Sequence, residues 1–289
     1  MPRASAGRWF GRGTLALGIT LTVAAHRVSP SPDEPAGWPL ACRLSCYGDY
    51  QAAGWSHLGS IGVHHLFLPV PAPGETAGVR KQLANHHLKP LVLRGQTDLG
   101  KPPCVEELSA QLATCEAMGV HYLFLSPKHT GVDKAVACDR LRRAGDVARR
   151  HGVIITLETH PDLGTNADAH LETMRRINHP NVRVNFDTGN ITYYNAGGDA
   201  VRELEKVIDF VGTVELKDHD GKLQGWNFPA LGQGKVDFPG VLRVLKDHGY
   251  RGPITIEVEG VRGRTWNEQE TKQVIADSVH YLRRLSTFR

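Results

Sequence analysis

Four acidic residues stand at the ends of, or inside, short apolar runs in the second half of the sequence: Glu158, Asp187, Glu215 and Glu257. Side chains in each run alternate. Thr156 and Glu158 oppose Ile155 and Leu157; Arg183, Asn185 and Asp187 oppose Val184 and Phe186. Thr213, Glu215 and Lys217 oppose Val214 and Leu216, and Thr255, Glu257 and Glu259 oppose Ile254 and Ile256. A period of two puts each set on its own face of a strand. If the polar faces meet, four carboxylates converge on one small volume, where burial and mutual repulsion are both costly. A divalent cation, raised pKa values, or pairing with Lys217 and Arg183 would relieve that cost. A hard cation with oxygen ligands answers the whole set at once and is the expected solution. The alternative is an internal salt-bridge network.

The elements that would carry these residues follow from the pattern along the chain. Short apolar runs predict strands over 40–46, 63–69, 89–93, 121–126, 153–158, 182–187, 212–217 and 254–259. Amphipathic stretches such as 105–118, 139–151 and 200–210 lie between them, and Gly62, Gly119, Gly152 and Gly249 stand where helix C-caps precede the next strand. Eight strands alternating with helices over about 250 residues predict a single α/β domain, a (β/α)8 TIM barrel. Its apolar strand faces must meet the helices, so the polar faces look onto the barrel axis, at the C-terminal strand ends where such barrels hold their chemistry.

Several of these segments carry a resemblance. Leu157-Glu158-Thr159-His160, Asn185-Phe186-Asp187-Thr188-Gly189-Asn190, Glu215-Leu216-Lys217-Asp218, Gly232-Gln233-Gly234-Lys235-Val236-Asp237-Phe238 and Ile256-Glu257-Val258-Glu259-Gly260 resemble the xylose isomerase-like TIM barrel superfamily. Within it they are similar to the sugar phosphate isomerase/epimerase group, over residues 39 to 285. The resemblance implies one divalent metal on a Glu, an Asp, a His and a Glu of the last four strands. Glu158, Asp187 and Glu257 match three of these. At the fourth, where the family has H-x-K-D, the chain has Glu215. Glu215 keeps the strand position and is the expected ligand, giving an all-oxygen site that favours Mn or Mg over Co or Zn. His219, four residues on, is the alternative. The family's D-x-x-H ends here in Asn190, which can hydrogen-bond a substrate hydroxyl but cannot shuttle a proton near neutral pH.

By the same resemblance, Glu158 and Glu257 are the acid/base pair of an isomerase or epimerase acting on a sugar or sugar-like polyol or keto substrate. A metal that chelates a carbonyl and its neighbouring hydroxyl acidifies the C–H between them, and the two glutamates move that proton. Loss of a β-substituent would make the same machinery a dehydratase or lyase. A non-catalytic sugar-binding barrel is the third reading, because two family histidines are absent. His160, Asn190, Lys217, Trp226 and Arg94 are the expected substrate contacts. Tyr47, Gln96, Ser126, Lys128 and His129 lie around them, and Arg262 and Arg264 are placed to meet an anionic group or solvent.

The 289 residues are 40% hydrophobic and 22% charged, with a formal net charge of +4. No basic run of the kind that tracks a nucleic-acid backbone is present, so the expected partner is a small carbohydrate; a homo-oligomer is compatible with the sequence. The five cysteines are expected to be reduced and mostly buried. On a strand over 40–46, Cys42 and Cys46 would stand about 13 Å apart and could not bridge. Residues 1–25 have the basic, apolar and small-residue pattern of a signal peptide, too short to span a bilayer. With cleavage the protein is exported or periplasmic; otherwise it is cytoplasmic. Residues 26–38, rich in Pro and Ser, read as a linker to a barrel over 39–289.

Overall fold

Strands with one apolar face and one inward face need a helical layer outside and a filled interior within. The computed structural model of the chain, which describes residues 37–289, provides both. Eight parallel strands close on themselves: β1 (Leu40–Arg43), β2 (His65–Pro69), β3 (Lys89–Arg94), β4 (Tyr122–Leu125), β5 (Ile154–Glu158), β6 (Val182–Asp187), β7 (Val211–Lys217) and β9 (Ile254–Glu257). Pairing of Leu40 with Ile254 and of Cys42 with Ile256 seals the ring. The predicted (β/α)8 barrel is the observed fold. A small antiparallel pair, β8 (Asn227–Phe228) and β10 (Gly260–Val261), lies outside the barrel sheet and was not foreseen.

The outward strand residues, among them Leu66, Leu93, Leu123, Ile155, Val184, Phe186, Leu216 and Ile256, form one buried core with the helices. The helices are α1 (Gln51–Ser60), α2 (Thr76–Asn85), α3 (Cys104–Met118), α4 (Lys134–Arg150), α5 (Ala167–Ile177), α6 (Thr188–Tyr194), α7 (Ala200–Val207), α8 (Phe238–Asp247) and α9 (Glu268–Leu285). Local chemistry sets their ends. Asn267 and Glu270 form a reciprocal capping box at the start of α9, and Gly119 ends α3 in the left-handed region at φ 69°.

Two expectations about the strands need correction. The first strand ends at Arg43 rather than at residue 46, because the chain turns into a 3-10 stretch over Leu44–Tyr50. That turn folds Cys46 back beside Cys42, with its thiol donating to the Ile256 carbonyl at 3.7 Å, and its proximity, with burial, pushes the Cys42 thiol up. The two cysteines are therefore neighbours, not the ends of an extended run, although all five cysteines are buried and free. The last barrel strand ends at Glu257, so Glu259 leaves the sheet at the mouth.

The signal-peptide segment, and the linker up to residue 36, lie outside the described residues. Trp38 is packed into the base of the barrel, its indole donating to the Tyr250 carbonyl at 2.8 Å. Among the described residues no helix is long and apolar enough to cross a membrane.

Candidate metal centre and substrate pocket

The inward faces divide the barrel interior in two. On β2, β3 and β4 they carry Phe67, Val92 and Phe124, a buried apolar cluster separate from the main core. On β5, β6, β7 and β9 they carry Thr156 and Glu158, Asn185 and Asp187, Thr213, Glu215 and Lys217, and Thr255 and Glu257, nearly all buried. One residue joins the halves. Arg43, at the end of β1, lies over the rings of Phe67 and Phe124, 4.4 and 4.6 Å from their centroids, and directs its guanidinium at the carboxylates.

Glu158, Asp187, Glu215 and Glu257 come together as their alternation requires: each offers one oxygen, and these four atoms all lie within 4.8 Å of one another. Arg43 grips Glu215 side-on, Nε donating to Oε1 and Nη2 to Oε2. Its Nη1 pairs with Glu257 Oε1 at 2.6 Å, and Glu158 lies 4.0 Å from Nη2. Lys217 pairs with Glu257 at 3.2 Å and with Glu259, and its Nζ stands 3.9 Å from Asp187 Oδ2. Lys217 thus pairs with the acidic group as expected. Arg183, the other expected partner, sits lower in the barrel beside Thr156, where burial lowers its pKa and no carboxylate acts on it.

Five carboxylates, counting Glu259, therefore share two cations. The imbalance shows in individual atoms. Asp187 Oδ1 caps α6 by accepting the N–H groups of Gly189 and Asn190, both at 2.9 Å, whereas its buried Oδ2 has no hydrogen-bond partner. Glu257 Oε2 is likewise buried, with only the Lys217 ion pair. Burial pushes Asp187 up to about 8, against the pull of Lys217 and with the help of Glu257. Burial also pushes Glu215 well above the usual carboxylate range while Arg43 opposes it. For Glu257 burial acts upward too, but Arg43 and Lys217 outweigh it and hold the group below its ordinary value. Burial works against the charge of Lys217, but Glu257, Asp187 and Glu259 together raise it, so the ammonium is retained.

The donor set fits a hard divalent cation. Every candidate ligand is a carboxylate, Asp187 Oδ2 is buried and unsatisfied, and the carboxyl groups outnumber the cations paired with them.

Above the cluster is a pocket of about 210 Å³ lined by Arg94, Glu158, His160, Asn190, Lys217, Trp226 and Glu257, so every expected catalytic or substrate-contact residue faces one space. Asn190 donates to the Thr159 carbonyl at 3.0 Å and accepts from Lys217 at 3.2 Å. His160 donates from Nδ1 to the Pro161 carbonyl at 2.9 Å and stands edge-on to Tyr194. Trp226 is held over the mouth by the β8–β10 pair, edge-on to Phe228 and Tyr193. His219 is elsewhere. Its ring is fully buried between Thr192 Oγ1 and the Gly225 carbonyl, both at 2.8 Å, and stacks near Phe228.

The glycine-rich motif has a structural task. The buried Asp218 carboxylate accepts the N–H groups of His219, Gly232, Gly234 and Val236, and a Cβ on Gly234 would come within 2.2 Å of Asp218. This cradle fixes the loop after β7.

Sequence reasoning missed Arg43, Tyr193, Tyr194 and Phe228. For Arg43 a signal existed, since Ala41 and Arg43 alternate against Leu40 and Cys42 as the later strands do. The aromatic residues gave none, because they lie beyond the barrel strands, Tyr193 and Tyr194 in the short α6 and Phe228 in the two-residue β8.

Residues 59–285 match the family described as xylose isomerase-like TIM barrel. The chain belongs to this family. Among curated relatives, it is 26% identical to the inosose isomerase of Bacillus licheniformis over 199 residues, 60% of this chain and 68% of that protein. It is 28% identical to the inosose dehydratase of Salmonella agona over 149 residues, 46% of this chain and 49% of that protein. Apart from that isomerase, the chain spans about half the length of these curated relatives. Among solved structures it superposes on the IOLI protein with a bound zinc atom at a TM-score of 0.69, with 19% identity, covering 86% of this chain and 99% of that one. That likeness is one of fold.

Proposed function

We propose that the protein is a divalent-metal-dependent isomerase or epimerase of a small sugar or sugar-like polyol or keto substrate, with Glu158, Asp187 and Glu257 holding the metal. The observation that carries this reading is the gathering of four carboxylates with oxygens within 4.8 Å of one another beneath the pocket, with Asp187 Oδ2 buried and unsatisfied among them. When bound, a divalent ion supplies the charge that acidifies a C–H beside a substrate carbonyl and hydroxyl.

The chain's own residues do the rest. Glu257, kept ionised by Arg43 and Lys217, takes the proton and returns it to the neighbouring carbon, or a protonated Glu158 delivers its own proton to the opposite face and the two glutamates exchange roles in the next turnover. Lys217 stays protonated, so it donates to a substrate oxygen rather than acting as a base. Asn190 and the free nitrogen of His160 orient hydroxyl groups, while Trp226 and Arg94 close the mouth. The pocket of about 210 Å³ adjoins a second cavity of about 530 Å³ that shares Arg94, Trp226 and Glu257 with it, together room for a small substrate. Similarity to an inosose dehydratase supports a second reading, in which the same proton removal is followed by loss of a β-hydroxyl.

Elemental analysis of chelator-treated protein reloaded with Mn²⁺, beside Glu158→Ala, tests the proposal. About one ion per chain, lost in the variant, is expected, together with solvent deuterium entering a C–H of an inosose or ketose. No uptake at saturating Mn²⁺ would make the cluster an internal salt-bridge network and favour the sugar-binding reading.

A further inference from the structure

Resting on the metal reading above, we infer that Glu215 is the anchor of Arg43 and not a ligand, so that three carboxylates are left to hold the ion. Both Glu215 oxygens are engaged side-on by Arg43, and Oε2 also accepts from Asn185 Nδ2 at 3.3 Å. The other three carboxylates differ. Asp187 Oδ2 has no hydrogen bond, Glu257 Oε2 has only the Lys217 ion pair at 3.2 Å, and Glu158 Oε1 has long contacts, 3.4 Å from Asn190 and 4.0 Å from Arg43 Nη2.

For Glu215 to turn to an ion it would have to release Arg43, and Arg43 has nowhere to go. It lies over Phe67 and Phe124, its side chain is 8% exposed, and a guanidinium stripped of its carboxylate there would be a buried, unpaired charge. Holding the pair together costs nothing comparable, because fork-to-fork geometry satisfies both partners. Arg43 has a second effect: Nη1 takes Glu257 Oε1 while Lys217 Nζ stands 3.2 Å from Oε2, so the two cations fix the orientation of that carboxylate. Arg43 is thus a positioning residue, holding Glu257 as well as Glu215.

The test is titration of the full-length metal-free protein with Co²⁺, read by visible absorption and by ions bound per chain. The double variant Arg43→Met/Glu215→Leu removes an anion and a cation together and leaves the net charge unchanged. It should bind one Co²⁺ within about 10-fold of wild-type affinity and with the wild-type spectrum, whereas Asp187→Asn should lose at least 100-fold. Arg43→Met alone frees Glu215, so its Co²⁺ spectrum should change and its affinity rise about 10-fold or more. Loss of Co²⁺ by the double variant as complete as in Asp187→Asn, or an Arg43→Met spectrum identical to wild type, would overturn the assignment. Failure of the wild type itself to bind Co²⁺ would instead overturn the metal reading on which it rests.

Discussion

The two halves of the barrel interior are built from the same kind of strand and do opposite things. The wall made by β2, β3 and β4 is dry: Phe67 and Phe124 meet edge-on at 5.1 Å, with Val92 beside them. The wall made by β5, β6, β7 and β9 is polar at nearly every inward position. Neither half would work alone. A full ring of carboxylates would draw in water and screen its own charges, and a full ring of aromatics would hold no ion. The apolar wall lowers the local dielectric that the acidic residues feel, which is why burial leads the causes acting on Asp187, Glu215 and Glu257. Arg43 sits on the seam, its flat face on the aromatic rings and its N–H edge on the carboxylates, the two surfaces a guanidinium is able to satisfy at once.

The contrast can be broken most severely at the seam. Glu215→Ala strands the Arg43 charge and should destabilise the fold by about 3–5 kcal/mol in urea unfolding, whereas removing both partners together should be close to neutral. Equal costs for the single and double changes would mean that the two halves do not depend on the pair.

Behind the polar wall, His170 is fully buried with Nε2 at 3.2 Å from Thr159 Oγ1, and burial, with a smaller push from Lys134, lowers its pKa to about 3. Its folded value lies below the ordinary 6.5, so the unfolded chain binds the proton first. Its stabilising contribution is complete above about pH 6.5 and is lost as the pH falls from there toward 3, at up to ~1.4 kcal/mol per pH unit. Comparing the urea midpoints of wild type and His170→Gln from pH 7 to 4 checks this: the variant should show the shallower decline.

On the dry wall, Phe124→Leu should cost about 1–2 kcal/mol by thinning the surface beneath Arg43. The polar wall supplies the opposite case. Thr156 Oγ1 is buried without a hydrogen bond, so Thr156→Val should be neutral or stabilising by up to about 1 kcal/mol in thermal unfolding. A clear loss at Thr156 would mean that its hydroxyl serves the site.

Much of this arrangement was legible beforehand because it is local. Period-two alternation in β5, β6, β7 and β9 reports directly which residues share a face, and a closed parallel barrel leaves an inward polar face only one direction to point. Hence Glu158, Asp187, Glu215 and Glu257 could be brought together from residue types alone, and the expected substrate contacts His160, Asn190, Lys217, Trp226 and Arg94 line the same pocket, whereas Tyr47, Gln96, Lys128 and His129 do not. Strand ends were less legible. The first strand was expected to run through Cys46 because Leu-Ala-Cys-Arg-Leu-Ser-Cys reads as one apolar run, and nothing in that composition announces a 3-10 turn after Arg43. The same assumption hid Arg43, a charged residue in a run taken to be apolar.

The sequence by itself determined the barrel and the acidic inner face, because each follows from spacing within a strand and from the closure of parallel neighbours; the register that aligns Asp187 with Glu215 and Lys217 with Glu257 came from the folded sheet. Which cation answers which carboxylate was decided only by the tertiary structure. Arg43 and Glu215 are 172 residues apart, and no pattern within either strand names the other. The pairing exists because closing the ring puts β1 between β9 and β2, at the edge of the aromatic wall, and gives a long guanidinium one buried position where both its face and its edge are satisfied. Likewise His219, four residues from Glu215 in the chain, is held away from the carboxylates by Thr192 and Gly225, contacts that only the folded loop after β7 creates.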